Sequence, residues 1–133
     1  IFQSISLEKM FTVRALTRGK PPRLIYRKIA EEILGSDYSL SLVFIGKTRS
    51  RRLNRTYRKK DKPANVLAFS LAKSEGELFL TPSLFSSREL PRMFIHGLLH
   101  LNGLDHGTIM EQKESFFLSK FFQWHDTSSQ ASM

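Results

Sequence analysis

Residues 96–107 read HGLLHLNGLDHG and hold three of the four histidines of this 133-residue chain. His96 and His100 are four positions apart in an apolar run, so on a helix both imidazoles lie on one face. Gly103 can adopt a left-handed conformation that ends the helix and turns the chain back. His106 then approaches the other two histidines from outside the helix. The spacing therefore predicts one metal ion bound by all three imidazoles.

The chemistry of three imidazoles indicates what such an ion would do. Neutral ligands leave a divalent ion with its full charge, and three of them leave one coordination position open. A water at that position has its pKa lowered to about 7, so a nucleophile is present near neutral pH. The chain has no cysteine, which excludes thiolate ligands. Zinc is therefore the first expectation and nickel the alternative. The opposing interpretation, three separately satisfied histidines, fits this spacing poorly.

The residue after His96 limits the reaction class. Zinc proteases of the His-Glu-x-x-His type carry a glutamate there as general base, whereas this chain has Gly97. A protease would thus lack its proton shuttle. Asp105 is the nearest other carboxylate, and we expect it to orient a ligand histidine or to handle a proton. A local cap or turn contact is an equally good interpretation of Asp105.

Basic residues predominate, with 21 Lys and Arg against 12 Asp and Glu, a net charge of +9. Such an excess favours a polyanionic partner. Residues 47–62 hold nine cations and a single acid, and we expect a phosphate-binding surface here, formed by Arg51, Arg55, Arg58, Lys59 and Lys60. Arg51, Arg55 and Arg58 would form one positive ridge on a helix, although a solvated helix face is the alternative. An anionic membrane would fit the same charge excess, so composition alone does not choose the partner. No apolar run could span a bilayer and no base-reading motif is present, and we expect neither a membrane nor DNA as partner.

The periodicity predicts the order strand, helix, strand, helix, strand, strand, helix, helix. We expect an α/β (α+β-like) single domain over residues 10–125, with a mixed four-stranded sheet covered by helices. The metal site falls on a helix of the C-terminal half and on the turn after it. Residues 1–9 are expected to be an extension and residues 126–133 a frayed tail. The absence of cysteine favours a cytoplasmic protein.

Two predictions concern the buried faces of helices. Leu53 and Tyr57 are expected to face inward from the second helix. The spacing in the last helix favours a buried aromatic stripe, with a partner-facing patch as the alternative, formed by Phe116, Phe117, Phe121, Phe122 and Trp124.

Two motifs resemble the YbeY family of bacterial rRNA-maturation metalloendoribonucleases, and the likeness extends from about Phe11 to Trp124. HGLLHLNGLDH (96–106) resembles the family's HGxLHLxGyDH, and LNRTYRKKDKPANVLAF (53–69) resembles its LNxxYRxKDKPTxVLSF. MEQKE (110–114) is similar to the M-x-x-x-E that opens the family's last helix. This chain departs from the pattern at Leu104, Ala64 and Ala68, where the family usually has tyrosine, threonine and serine.

The resemblance implies a single α/β domain that cleaves single-stranded RNA during ribosomal RNA processing in the cytoplasm, in association with the ribosome. It places the metal ligands at His96, His100 and His106, and the family's functional arginine at Arg58. His96, Arg58 and Asp105 are thus the catalytic candidates. The attacking group is either water or the RNA 2′-OH, and the sequence does not choose between them.

Two other functions remain in competition with a metal-dependent endoribonuclease. A zinc metalloprotease-like hydrolase fits the histidine spacing but not Gly97 or the cationic surface. A non-catalytic ribosome-associated RNA-binding protein fits the charge. An open coordination position argues against it, because structural metal sites are normally closed.

Overall fold

The computed structural model describes residues 9–122, and its elements follow the predicted order. They are β1 (Phe11–Ala15), α1 (Tyr26–Leu34), β2 (Ser39–Phe44), α2 (Lys47–Arg58), β3 (Val66–Ala72), β4 (Glu75–Leu80), α3 (Leu90–Leu101) and α4 (Thr108–Phe122). Two short 3-10 turns, Pro82–Leu84 and Ser87–Glu89, lie between β4 and α3. Within residues 9–122, no helix is long and apolar enough to cross a membrane.

The four strands form one mixed sheet in the order β1-β2-β4-β3. β1 and β2 are parallel, as are β2 and β4, whereas β3 and β4 form an antiparallel hairpin. Leu78 at the middle of β4 is paired with Leu42 of β2 and with Ala68 of β3. The predicted α/β class with a mixed four-stranded sheet is confirmed, and β1 and β3 are its edge strands.

The main core lies between one face of the sheet and helices α1, α3 and α4. Alternate strand residues such as Leu42 and Leu78 point into it, as the two-residue period of a strand requires. They meet Ile29 of α1 and Phe94 and Leu98 of α3, all fully buried. α3 carries apolar residues at helical spacing on this face, so its position is fixed by the core. The histidines of α3 are therefore held on a rigid element.

Helix α2 contacts the opposite face of the sheet through Tyr57 and Phe69, and its buried positions are polar. Ser50 and Asn54 are the buried residues of α2. The Ser50 hydroxyl donates to the carbonyl of Ala64 over 3.0 Å, and the Asn54 amide donates to the carbonyl of Lys62 over 2.8 Å. The prediction that Leu53 and Tyr57 face inward is thus corrected: Leu53 is half-buried, and Tyr57 is 66% exposed. These polar side chains occupy the inner face because they tie the loop after α2 to the helix.

The last helix also differs from the predicted aromatic stripe. Its buried residues are Met110, Glu114 and Leu118, one on each successive turn. Phe116 is 59% exposed, while Phe117, Phe121 and Phe122 are partly buried against the core. Adjacent residues are about 100° apart around a helix, so Phe116 is exposed to solvent while its neighbour Phe117 packs against the core. Trp124, residues 1–8 and the predicted tail at 126–133 lie outside the described residues.

Candidate metal centre

Helix α3 and the turn after it bring the three predicted histidines together. Pro91 lies in the first turn, where its missing N–H costs no hydrogen bond. The helix ends at Leu101, and Gly103 takes the left-handed conformation with φ of 91°. The backbone N–H of Gly103 donates to the carbonyl of His100 over 3.0 Å. The chain therefore reverses there and carries His106 back toward the helix.

The three imidazole rings form a nearly equilateral triangle. Their ring centres are 4.6 Å apart for His96 and His100, 4.9 Å for His100 and His106, and 5.2 Å for His96 and His106. One nitrogen from each ring lies within 4.8 Å of the others, and Nε2 of His96 and His100 are 3.1 Å apart. Two nitrogens at 2.0–2.1 Å from a tetrahedral zinc are separated by roughly 3.3 Å. The three nitrogens thus fit a divalent ion if His106 moves slightly closer to His96 and His100.

A carboxylate from the last helix supports this site. Glu114, which is nearly buried, places Oε2 2.8 Å from Nδ1 of His96. A hydrogen bond to Nδ1–H fixes the tautomer of His96 and leaves Nε2 free to bind a metal. Arg92 lies 3.6 Å from the other oxygen of Glu114 and 3.4 Å from Glu89. The Arg92 guanidinium therefore lies between the carboxylates of Glu89 and Glu114.

His100 lies in surroundings that favour its neutral form. Burial lowers its pKa below the ordinary value, and the charges of His96, His106 and Arg58 lower the pKa further. A hydrogen bond to the backbone of Leu104 acts in the opposite direction, without reversing the shift. A neutral imidazole has the lone pair that a metal needs, so the site is prepared for a cation.

A cavity of about 320 Å³ opens beside the histidines. Its walls come from the end of α2, from β3 and the residue before it, from α3 and the turn after it, and from α4. The residues that line it are Arg58, Asn65, Val66, Ala68, Arg92, Met93, His96, His100, His106 and Glu114. Arg58 enters this cavity from the edge of the sheet. Its Nη2 donates to the carbonyl of Ala68 over 2.9 Å, and its guanidinium carbon lies 5.5 Å from the ring centre of Phe69. The structure thus brings the predicted arginine and the three histidines into one site.

The remaining basic residues divide into two groups. Arg51 donates to both oxygens of Asp61 at 2.8 and 3.0 Å, and Arg55 lies 3.6 Å from the same carboxylate. The hydrogen bond from Arg51 lowers the pKa of Asp61. Lys59 ends α2 in the left-handed conformation, and both Lys59 and Lys60 are exposed. Of the three arginines predicted to form one ridge, Arg58 lines the cavity, while Arg51 and Arg55 lie beside Asp61.

Asp105 takes no part in the walls of the cavity. It is exposed on the turn between His100 and His106, and the carboxylate that contacts a histidine among residues 9–122 is that of Glu114. Sequence reasoning missed Glu114 as a supporting residue. Its signal was the MEQKE stretch, to which no role had been assigned.

Gly97 is buried at the point where α3 crosses the sheet. A Cβ at this position would lie 2.3 Å from Cδ1 of Leu78 and 3.0 Å from Cγ1 of Val66. A side chain at this position would have to displace Leu78 and Val66. The glutamate that a His-Glu-x-x-His protease needs is therefore excluded by packing.

Known proteins share both the sequence pattern and the fold. The family model described as Endoribonuclease YbeY matches residues 22–121. Endoribonuclease YbeY of Lactobacillus acidophilus is 32% identical in an alignment of 118 residues that includes 66% of this chain and 68% of the relative. The Staphylococcus aureus protein of the same name is 33% identical over 110 residues, with 65% and 71% covered. The solution structure of TM1509 from Thermotoga maritima matches with a TM-score of 0.61 at 22% identity, covers 86% of this chain and 90% of that one, and shows a common fold.

Proposed function

This chain belongs to the endoribonuclease YbeY family, and on that premise we propose that it is a metal-dependent endoribonuclease that cleaves single-stranded RNA in ribosomal RNA maturation. The observation that carries the proposal is the convergence of three imidazoles and one guanidinium on a single cavity. Association with the ribosome is part of the same proposal, because the substrate is ribosomal RNA.

The cofactor in this proposal is one divalent ion, with zinc as the first candidate and nickel as the second. His96, His100 and His106 would hold it, and Glu114 would orient His96 through Nδ1. When bound, such an ion polarises a phosphoryl oxygen and lowers the pKa of a water. The chain contributes three ligands, so substrate or water can take the remaining position.

Arg58 is proposed to stabilise the negative charge that develops on the phosphoryl oxygens. One of its N–H groups is held by the carbonyl of Ala68, and a guanidinium has five donors in total. The donors that remain are available to a phosphate in the cavity. Because the Ala68 contact fixes the guanidinium beforehand, little reorganisation is needed as charge develops.

General affinity for RNA is assigned to Arg51, Arg55, Lys59 and Lys60. These cations are exposed on α2 and just after it. Arg51 and Arg55 share Asp61, so a phosphate has to compete with that carboxylate. Asp105 keeps only the proposed role of handling a proton at the rim of the site, because Glu114 provides the orienting contact. Water and the RNA 2′-OH both remain candidates for the attacking group.

The proposal is tested by measuring metal content and cleavage on the same preparations. Wild type and His100→Ala are loaded with zinc, analysed for bound metal, and incubated with single-stranded RNA and with unfolded casein. We expect one ion per chain, RNA cleavage and intact casein for wild type, and loss of both metal and cleavage for His100→Ala. Casein proteolysis without RNA cleavage would instead support the protease, and metal-loaded protein that binds RNA without cutting it would support the non-catalytic alternative.

A further inference from the structure

An exposed row of aromatic rings lies at the end of α2, outside the site described above. Tyr57 is 66% exposed, and its ring centre lies 5.5 Å from that of Phe69, with the planes at 64°. Phe69 in turn lies 5.9 Å from Phe79, at 70°. The edge-to-face contacts hold these rings in place. Tyr57 is thus a large ring fixed from below and open to solvent.

The row lies next to the histidine cavity, around the edge of the sheet. Phe69 points to the face of β3 opposite Val66 and Ala68, which line the cavity. Because β3 is an edge strand, both of its faces are reached around one free edge. Arg58 joins the two sides, since its guanidinium contacts the Phe69 ring and also lines the cavity. An RNA strand whose phosphate contacts Arg58 therefore passes Tyr57.

The charge around Tyr57 is positive. Lys59 and Lys60 follow Arg58 directly and are exposed, and within residues 9–122 neither of them makes an ion pair. An aromatic ring among cations is the usual means by which proteins hold single-stranded nucleic acid, because bases stack on the ring while the cations follow the backbone. A paired base has both faces covered by its neighbours and cannot stack in this way.

We propose that Tyr57, supported by Phe69 and Phe79, stacks an unpaired nucleobase of the RNA strand whose phosphate enters the histidine cavity. The inference rests on the proposed function, because it presumes that RNA is the substrate. It gives the single-strand preference a physical origin in a specific ring. Selection would then occur during binding, since a duplex offers no free base face to Tyr57.

The test compares variants that keep the packing but change the stacking surface. Tyr57→Leu retains an apolar contact with Phe69 but lacks a flat ring, Tyr57→Trp offers a larger ring, and Phe116→Ala is the matched control. Phe116 is similarly exposed, but it lies two positions from Glu114 and thus on the opposite side of α4. Binding is measured on the 133-residue chain with a chelator present, using single-stranded oligoribonucleotides of about ten nucleotides.

A fluorescent base analogue, 2-aminopurine, is placed at each position in turn, because stacking quenches its emission. We expect quenching at one position with wild type and Tyr57→Trp, and its loss with Tyr57→Leu. Tyr57→Leu should weaken binding roughly fivefold to tenfold, the low end for base stacking, and an abasic nucleotide at that position should abolish the difference. Phe116→Ala should match wild type throughout.

Cleavage by the metal-loaded proteins separates this inference from the proposed function. If wild type cleaves RNA while Tyr57→Leu binds and quenches as wild type does, the stacking inference is wrong and the exposed ring serves another partner. If Tyr57→Leu loses equal affinity for normal and abasic oligonucleotides, the loss is structural and the inference is again wrong. If Tyr57-dependent quenching occurs but wild type does not cleave, the stacking site is supported and the nuclease proposal fails.

Discussion

Oε2 of Glu114 lies 2.8 Å from Nδ1 of His96, a contact that joins two helices across 18 residues of sequence. This contact predicts that Glu114 sets metal affinity without being a ligand. Glu114→Ala should weaken metal binding about 10- to 100-fold, the usual effect of losing a partner of a ligand histidine. Glu114→Gln should lie in between, because its amide oxygen still accepts the Nδ1–H bond. Competition with a chelator of known affinity measures this. Glu111→Gln, an exposed change on the same helix, is the control and should match wild type.

Arg58 is predicted to act on the cleavage rate more than on RNA affinity. Arg58→Ala should lower the single-turnover rate at saturating enzyme by roughly 10²-fold, because the guanidinium interacts most strongly with the charge of the transition state. Arg58→Lys should recover little, since lysine keeps the charge but lacks the planar fork that meets Ala68 and a phosphate together. Arg52→Ala provides an exposed arginine of α2 as control. Full activity of Arg58→Ala would remove this residue from the site.

Asp61 is predicted to restrain RNA binding. It holds Arg51 through two hydrogen bonds and lies near Arg55, so Asp61→Asn should release two cations for phosphates. Affinity for single-stranded RNA should rise, and the plot of log K against log salt should steepen by about 0.7 for each phosphate gained. Arg51→Ala and Lys60→Ala should have the opposite effect. Asp37→Asn makes the same charge change at an exposed position and should alter affinity little. Unchanged slope and affinity in Asp61→Asn would show that Arg51 and Arg55 do not contact RNA.

Gly97 is predicted to be essential for packing. Gly97→Ala places a methyl group against Leu78 and Val66, and such overpacking costs about 1–3 kcal/mol of unfolding free energy. Gly97→Glu should be more destabilising and should create no peptidase activity. Urea unfolding gives the stability, and casein digestion gives the activity. Gly46→Ala is the matched control, because a Cβ at Gly46 meets nothing within 4 Å. Equal stability of the two alanine variants would contradict the close approach of α3 to the sheet.

Tyr26 is predicted to make stability fall at alkaline pH. Burial raises the pKa of Tyr26 to about 12, above its ordinary value of 10.0. As the pH rises, the unfolded chain therefore loses the phenol proton before the folded chain does. The contribution of Tyr26 to the free energy of unfolding is complete below pH 10 and is lost as the pH rises to about 12. Tyr26→Phe should remove this part of the pH dependence. Denaturant midpoints are measured at pH 9, 10, 11 and 12, and the midpoint of Tyr26→Phe should fall less between pH 10 and 12 than that of wild type. An equal fall for the two proteins would contradict the prediction.

The histidine cluster could be predicted from the sequence because the three histidines lie within eleven residues, and local backbone geometry brings them together. A four-residue spacing places His96 and His100 on one helical face, and Gly103 brings His106 back. Glu114 was not predictable in the same way, because its contact with His96 depends on how α4 packs against α3. Asp105 is nearer in sequence, yet it is exposed and does not line the cavity. Proximity along the chain is a poor guide to which carboxylate supports a ligand.

The position of α2 shows a second limit. Apolar periodicity pointed to Leu53 and Tyr57, whereas the buried residues are Ser50 and Asn54. Ser50 and Asn54 are buried because they donate hydrogen bonds to the backbone carbonyls of residues 64 and 62, and the periodicity of apolar residues cannot reveal such bonds. Tyr57 still contacts Phe69, but the sheet ends at β3, and no other part of residues 9–122 covers the Tyr57 ring, which is 66% exposed.

The contact between Arg58 and Ala68 also bears on how this protein behaves in concentrated solution. An edge strand with free carbonyls is a template for a strand from another molecule, and proteins protect such edges with charge and irregular backbone. On β3, a guanidinium covers the carbonyl of Ala68, and the pairing register shifts between Ser70 and Ala72. Both features make the edge a poor surface for self-association. Loss of Arg58 would thus leave the edge of β3 open to pairing with another molecule, as well as weaken the site. An inactive variant at this position would therefore also tend to aggregate.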